Sequence, residues 1–425
     1  MFNKIKHLKN KELFIALYFL LFILGLSITI GTNFYNEFRL LEIFLLLGLC
    51  FFSIFNKKFI FSRIEIFFLI FIVFSGFFWI NFKFIIFDFL LFYLLYKTFA
   101  FLKYNDLVTR IIIISSFLIF LIFPFSLLNY INTGIYQNWY PMPWNIRIYN
   151  SYFLIFAIFA IWFYLKEVKY NNIYLFFVFL AFLSILLDGG RSSTLAYTIF
   201  IVIVCIFNRL ERFKLLLIYC STWLAYFSIV YFSSQSASNL RSITRESTSG
   251  RYELWLNAFQ CWLENPILGC GFYQLNKYPS LSAHPHNLFV QILTETGLIG
   301  FIFLSFIVFK VVKNISWNFK QNYFVLAALF AVAVELSFSG IHIYPVTQVA
   351  LLWLFVFLLK NPEFSHASYF NYLKIKNSKI DKLIQLFIYL CILIIFIYLF
   401  INTSVLSENL PSTPPRFWEY GYILF

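Results

Sequence analysis

The sequence predicts an all-α, polytopic membrane protein, and three observations carry that prediction. Of its 425 residues, 62% are hydrophobic and only 12% are charged, about half the charged share of an ordinary soluble domain. Apolar runs of roughly 17 to 25 residues recur from Leu13 onward, each about long enough to cross a bilayer core. The cations gather in alternate loops, which is the pattern that sets membrane topology. The short alternating segments of a membrane barrel do not occur.

The charge pattern fixes an orientation. Lys4, Lys6, Lys9 and Lys11 come first, then Lys57, Lys58 and Arg63, then Lys97, Lys103 and Arg110. The series continues with Lys166 and Lys169, with Arg209, Arg212 and Lys214, with Lys310, Lys313 and Lys320, and with the loop from Lys360 to Lys382. These are read as cytoplasmic, which places the N-terminus inside. Nine cations fall on the other side: Arg39, Lys83, Arg147, Arg191, Arg241, Arg245, Arg251, Lys277 and Arg416. The net charge of +14 is thus spent on topology, and no nucleic-acid partner is expected.

Spans are expected near 13–30, 40–55, 65–80, 84–100, 111–128, 151–165, 172–187, 194–207, 215–232, 287–309, 323–339, 346–359 and 383–401, with about 12–14 as the range for their number. The first lacks a cleavage signal and is expected to stay as an anchor. A short outside loop follows it and holds Arg39. Asp88 sits near the outer end of the fourth span, and Pro124 near the outer end of the fifth. Trp139, Pro141, Pro143 and Trp144 then suit an interfacial belt, and Arg147 beside them suits a lipid headgroup or a phosphate. The 62 phenylalanines are expected to fill lipid-facing positions. Overall, one integral membrane domain is expected over 1–425, with an outside loop at 233–285 and an outside tail at 402–425.

Two stretches depart from this apolar background. Asp188-Gly189-Gly190-Arg191-Ser192-Ser193 joins the seventh and eighth spans. Two glycines let the backbone turn tightly, and the turn offers N–H groups, hydroxyls and Arg191 to an anion. The alternative is a plain helix cap by Asp188 or Ser192. The second stretch is the long outside loop. Ser247, Thr248 or Ser249 can cap a helix from about Gly250. Tyr252, Leu254, Trp255, Ala258, Phe259 and Trp262 give this helix an apolar face for the bilayer surface, and Arg251 lies in its first turn. The helix ends before Pro266, Gly269-Cys270-Gly271 reverses the chain, and His284-Pro285-His286-Asn287 leads into the tenth span. Glu335 lies near the outer end of the eleventh. Cys261 and Cys270 share the outside loop, where a disulfide is possible, whereas Cys50, Cys205, Cys220 and Cys391 lie in apolar spans. No Cys/His spacing suits a metal site, and no cofactor is expected.

Arg191, Arg251 and His286 suit one chemistry: attack by a hydroxyl on a sugar carbon that carries a diphosphate. A histidine can take the hydroxyl proton, and an imidazole with its ordinary pKa of about 6.5 is largely neutral at neutral pH. Arginine matches phosphate geometry bidentately, and no outside carboxylate cluster suits Mg²⁺. A lipid-linked glycan transporter is the competing class. Transporters bury ionisable groups at the midplane and show internal repeats, whereas these spans are nearly free of charge and no repeat is visible.

The segment SGRYELWLNAF…PILGCGF…HPHNLFVQILTETGLIG resembles the signature region of the bacterial O-antigen ligase and O-antigen polymerase superfamily, and Gly189-Gly190-Arg191 resembles its Arg-bearing turn. His286, Gly297 and the upstream Lys277 resemble the ligase-type pattern. The resemblance spans about 115 residues, from Leu187 to Gly300. It implies a GT-C-like fold with one large periplasmic loop in the bacterial inner membrane. It further implies a metal-independent, inverting glycosyltransferase whose donor is an undecaprenyl-diphosphate-linked glycan. By motif position His286 is the base, with His284 as its alternative, and Arg191 and Arg251 hold the diphosphate, joined by Arg147 and Lys277. Asn287, Gly190, Ser192 and Gly297 support them. The acceptor is the lipid A-core for a ligase, a pilin-type protein for an oligosaccharyltransferase, or a second lipid-linked repeat for a polymerase, in that order of preference. Membrane lipids complete the partners.

Overall fold

The computed structural model describes residues 9–28, 34–55, 63–78, 82–135, 146–167, 171–233, 243, 250–271, 274–277, 284–361, 363–364 and 379–402. Among them the regular elements are helices. In chain order these are α1 (Asn10–Ser27), α2 (Tyr35–Phe55), α3 (Arg63–Phe78), α4 (Phe82–Phe101), α5 (Asp106–Ser116), α6 (Phe123–Thr133), α7 (Ile146–Lys166), α8 (Asn171–Leu187), α9 (Arg191–Phe207), α10 (Arg212–Ser233), α11 (Arg251–Glu264), α12 (Leu288–Asn314), α13 (Phe319–Phe338), α14 (Pro345–Lys360) and α15 (Lys379–Asn402). Short 3₁₀ turns occupy Phe117–Phe120 and Gln274–Lys277. Among the described residues, eight helical stretches are long and apolar enough to cross a membrane, and four more are apolar but of 10–17 residues. The chain is a multi-pass, all-α membrane protein.

It forms two compact units of interleaved sequence. The first takes Met1–Phe38, Asn105–Glu246 and Trp317–Leu354, and the second takes Arg39–Tyr104, Ser247–Ser316 and Phe355–Phe425. In the first unit α7 is apolar on every side, so each of its faces can meet either lipid or protein. From Ile148 to Phe163 nearly every side chain is buried. It packs on α8, and α9 packs on α13, where the small residues Ala327, Ala328 and Ala331 let backbones approach closely. Two large buried side chains of this unit place their polar ends on partners, as a dry core favours: Tyr149 donates to the Leu26 carbonyl at 2.9 Å, and the Trp353 indole to the Thr109 hydroxyl at 2.9 Å.

The expected single span at 111–128 is interrupted. Helix α5 stops at Ser116, the 3₁₀ turn follows, and α6 begins at Phe123 with Pro124 in its first turn. Proline lacks an N–H and clashes inside a helix but fits its start, so the chain breaks before it.

In the second unit Arg39 is buried within α2 and paired with Glu42, not placed in an outside loop. Lys97, expected among the cytoplasmic loop cations, is likewise buried in α4 and paired with Glu65 of α3. Each cation taken from water needs a carboxylate, which the sequence supplies three residues on in one case and thirty-two earlier in the other. Phenylalanine fills interior as well as outward positions. Phe153, Phe156, Phe159 and Phe163 are enclosed, whereas Phe55, Phe125 and Phe213 are at least 72% exposed.

Candidate functional site

The second unit builds its polar centre from α11, the turn after it and the head of α12. Helix α11 starts at Arg251, with Gly250 as its cap in the left-handed conformation (φ 69°) and no side-chain cap. The cap candidates Ser247, Thr248 and Ser249 lie outside the described residues. Its apolar residues divide between two faces instead of forming one. Leu254, Ala258 and Cys261 are buried, and α11 packs against α12, whereas Tyr252, Leu256, Phe259 and Leu263 are exposed. A helix that packs on protein with one stripe and meets an apolar medium with another needs both.

The turn from Pro266 to Gly271 is stitched to α12. That helix breaks at Gly297 (φ 62°, ψ −162°). A break within an apolar helix frees backbone groups that need protein partners. Here Leu298 N–H donates to the Pro266 carbonyl at 3.0 Å, Ile299 N–H to Ile267 at 3.2 Å, and Cys270 N–H to Thr294 at 2.9 Å. A disulfide joins Cys261 of α11 to Cys270 of the turn, with Cα atoms 5.6 Å apart. The purified protein is therefore expected to leave Cys261 and Cys270 unlabelled by a maleimide until it is reduced. Labelling of either cysteine before reduction would contradict the pairing.

The two histidines precede α12. Asn287 caps that helix, its side-chain oxygen accepting the N–H groups of Phe289 (2.9 Å) and Val290 (3.1 Å). This cap fixes where α12 begins. His286 holds a positive φ of 54°, which costs an ordinary side chain of order 1–3 kcal/mol and marks a segment its surroundings constrain. The constraint is visible next door, where the Trp255 indole of α11 donates to the Pro285 carbonyl at 2.9 Å. His284 and His286 are both buried, at 8% and 6% exposure, and His284 Nε2 lies 2.9 Å from His286 Nδ1. Arg251 is half-buried at the start of α11. Lys277 closes the 3₁₀ turn Gln274–Lys277.

The first unit holds the other candidates. Gly189 turns with φ 62°, and Gly190 is the cap of α9, which begins at Arg191 without a side-chain cap. Neither Asp188 nor Ser192 serves as that cap. A Cβ on Gly190 would meet the Asn150 side-chain amide at 2.7 Å, so a larger residue would have to push that side chain aside. Arg191 and Ser192 are half-buried. Ser193, on the next position, and Ser151 of α7 both donate to the same oxygen of Glu335, at 2.9 and 2.8 Å. Glu335 is fully enclosed and thereby joins α7, α9 and α13. Arg147, in the first turn of α7, hydrogen-bonds Tyr344, whose phenol burial raises above the ordinary range while Arg147 pulls it down. Arg147 thus ties α7 to the turn before α14.

In the sequence Glu335 stands out only by its position near the outer end of an apolar span. An acid inside an apolar span was the signal that it has partners there. The roles of Asn150, Trp255 and Gly269 left no comparable local signal.

Comparison with known proteins agrees with the resemblance drawn from the motifs. Residues 175–305 match the model of a family described as O-antigen ligase. Three Rickettsia proteins carry the name "Putative polysaccharide ligase". The one from Rickettsia conorii is 27% identical over 200 residues, covering 43% of this chain and 48% of the relative. The one from Rickettsia prowazekii is 26% identical over 211 residues, covering 44% and 51%. The Rickettsia felis protein is 30% identical over 121 residues, covering 25% and 29%. The matched part of the chain spans about half the length of the first two.

Proposed function

We propose that this protein is a glycan ligase of the bacterial inner membrane. It would move an oligo- or polysaccharide from undecaprenyl diphosphate to an acceptor hydroxyl on the periplasmic side, with the lipid A-core as acceptor. The observation that carries the reading is the buried imidazole pair fixed at the head of α12, within the stretch that matches the O-antigen ligase model. Hydroxyl attack needs a base held in place, and a base on a rigid element is held best.

In the step itself, His286 takes the acceptor hydroxyl proton as that oxygen bonds to the anomeric carbon. Attack comes from the face opposite the diphosphate, the carbon–oxygen bond to the diphosphate breaks, and its electron pair leaves on the phosphate, so the anomeric centre inverts. Arg251 is assigned to the departing charge, since a guanidinium fork matches two phosphate oxygens. Arg191 is the anion-binding candidate of the first unit and is tested separately.

The test combines purified protein and undecaprenyl-diphosphate oligosaccharide with lipid A-core, with a pilin-type protein, and with a second lipid-linked glycan. Transfer to lipid A-core is expected. Transfer to the pilin would make the protein an oligosaccharyltransferase, and transfer to the second glycan a polymerase. Movement of the lipid-linked glycan across vesicles with no transfer to any acceptor would make it a transporter. Arg251→Ala and Arg191→Ala are each expected to lower transfer about 10- to 100-fold, from roughly 1.5–3 kcal/mol for a hydrogen bond to a charged group. Lysine at either position should recover little of the loss, because a point charge does not reproduce the fork. Near-normal turnover in an alanine variant removes that arginine from the reaction.

A further inference from the structure

Two imidazole nitrogens 2.9 Å apart share one hydrogen, since a neutral imidazole has one N–H and one lone pair. Two arrangements satisfy the contact. If His284 Nε2–H donates, the lone pair of His286 Nδ1 is used, and the remaining proton of His286 sits on Nε2. That ring cannot then accept a proton through Nε2. If His286 Nδ1–H donates to His284 Nε2, the lone pair of His286 is on Nε2, where a base needs it. We propose that His284 is a positioning residue that accepts the Nδ1–H of His286, so holding the ring in the tautomer that leaves Nε2 basic. The proposal rests on the assignment of His286 as base and extends it to the group behind the base.

The geometry suits this role. The rings lie with centroids 4.2 Å apart and planes at 72°, and the nitrogens that meet are Nε2 of His284 and Nδ1 of His286. Pro285 between them has a fixed φ, and its carbonyl is held by Trp255 of α11, which leaves the segment little freedom to turn either ring away. The charge balance also works. When Nε2 of His286 takes the acceptor hydroxyl proton, the ring becomes an imidazolium. Its Nδ1–H is then a charged donor to a neutral nitrogen, a stronger bond than before. The proton taken up stays on His286 until it is released to solvent, and His284 remains neutral.

The experiment compares His284→Phe and His284→Gln with wild type, using the lipid-linked oligosaccharide and the acceptor that wild type uses. Phenylalanine keeps the ring and removes the acceptor, whereas glutamine places a carbonyl oxygen near the position of Nε2. His284→Phe is expected to lower kcat about 10- to 100-fold, the usual effect of losing a group that orients a functional histidine, with KM for the lipid-linked donor unchanged. His284→Gln is expected to restore most of that kcat. Should the phenylalanine variant fail to assemble in detergent, His284→Asn takes its place. Its amide is too short to reach Nδ1, and the same loss is expected. Wild-type kcat in His284→Phe, or an equal loss in the phenylalanine and glutamine variants, overturns the proposal. His286→Ala separates the two levels. If it stays active, the base assignment fails, and with it the partner role. If it is inactive while His284→Phe is normal, only the partner role fails.

Discussion

Replacing His286 with alanine is expected to lower glycan transfer by about 10²- to 10⁴-fold, the range for removing a general base. The acceptor hydroxyl must lose its proton as it attacks, and His286 is the group the reading provides for it. The ring is buried at 6% exposure with Nδ1 engaged by His284, so a water molecule taking its place would lack that orientation. Alanine also has to adopt the φ of 54° that His286 holds, and an alanine there is strained. His286→Asn therefore accompanies it, because asparagine enters the left-handed region more readily and keeps a polar side chain but is no base. Both variants should retain the unfolding temperature of the wild type to within a few degrees and lose transfer to a similar extent. Turnover above a tenth of wild type in the asparagine variant would mean that the proton leaves by another route.

Much of this architecture is legible in the sequence, because the rules that govern it are local. Apolar stretches long enough to cross a bilayer read as spanning helices, and clustered loop cations read as topology. The histidines, Arg251 and the Gly189-Gly190-Arg191 turn stand out because they lie in the stretches that carry the motif resemblance. The features that were missed or misplaced depend on partners far along the chain. Arg39 reads as a loop cation until Glu42 is seen beside it in the same helix, and Lys97 until Glu65 is reached across two helices. The apolar residues of α11 read as one face because nothing in the string says that Leu254, Ala258 and Cys261 pack on a helix that begins more than twenty residues later. Pro124 reads as lying near the outer end of one span, although a proline more readily begins a helix than continues one. Gly297 was noted only as part of a pattern. Its reason is steric, and its partner, Gly269, is twenty-eight residues away.

Replacing Gly297 with alanine is expected to destabilise the second unit by about 3 kcal/mol or more and to remove transfer along with it. The backbone there has φ 62° and ψ −162°, a conformation open essentially to glycine alone, and forcing an L side chain into it costs roughly 1–3 kcal/mol. Space is denied as well. A Cβ at this position would lie 2.3 Å from the Ile267 carbonyl oxygen and 2.4 Å from the Gly269 nitrogen. Both are backbone atoms, so no rotamer change relieves the clash, and overpacking of this kind adds roughly 1–3 kcal/mol. To make room, the turn must leave α12, which breaks the bonds from Leu298 to Pro266 and from Cys270 to Thr294. Those bonds, with the Cys261–Cys270 disulfide, seat α11 on α12, and α11 in turn holds Pro285 between the two histidines. Gly269→Ala should give the same phenotype from the other side of the contact, since its Cβ would lie 2.5 Å from the Glu295 carbonyl carbon and 2.6 Å from Gly297 N. The two losses should not add, because either substitution alone separates the same pair of backbones. Leu298→Ala, one position along and 42% exposed, should cost far less. The measurement is thermal unfolding in detergent together with protease sensitivity of the turn before and after reduction. A Gly297→Ala protein that unfolds at the wild-type temperature, resists the protease and transfers glycan normally would show that α12 does not break at this residue.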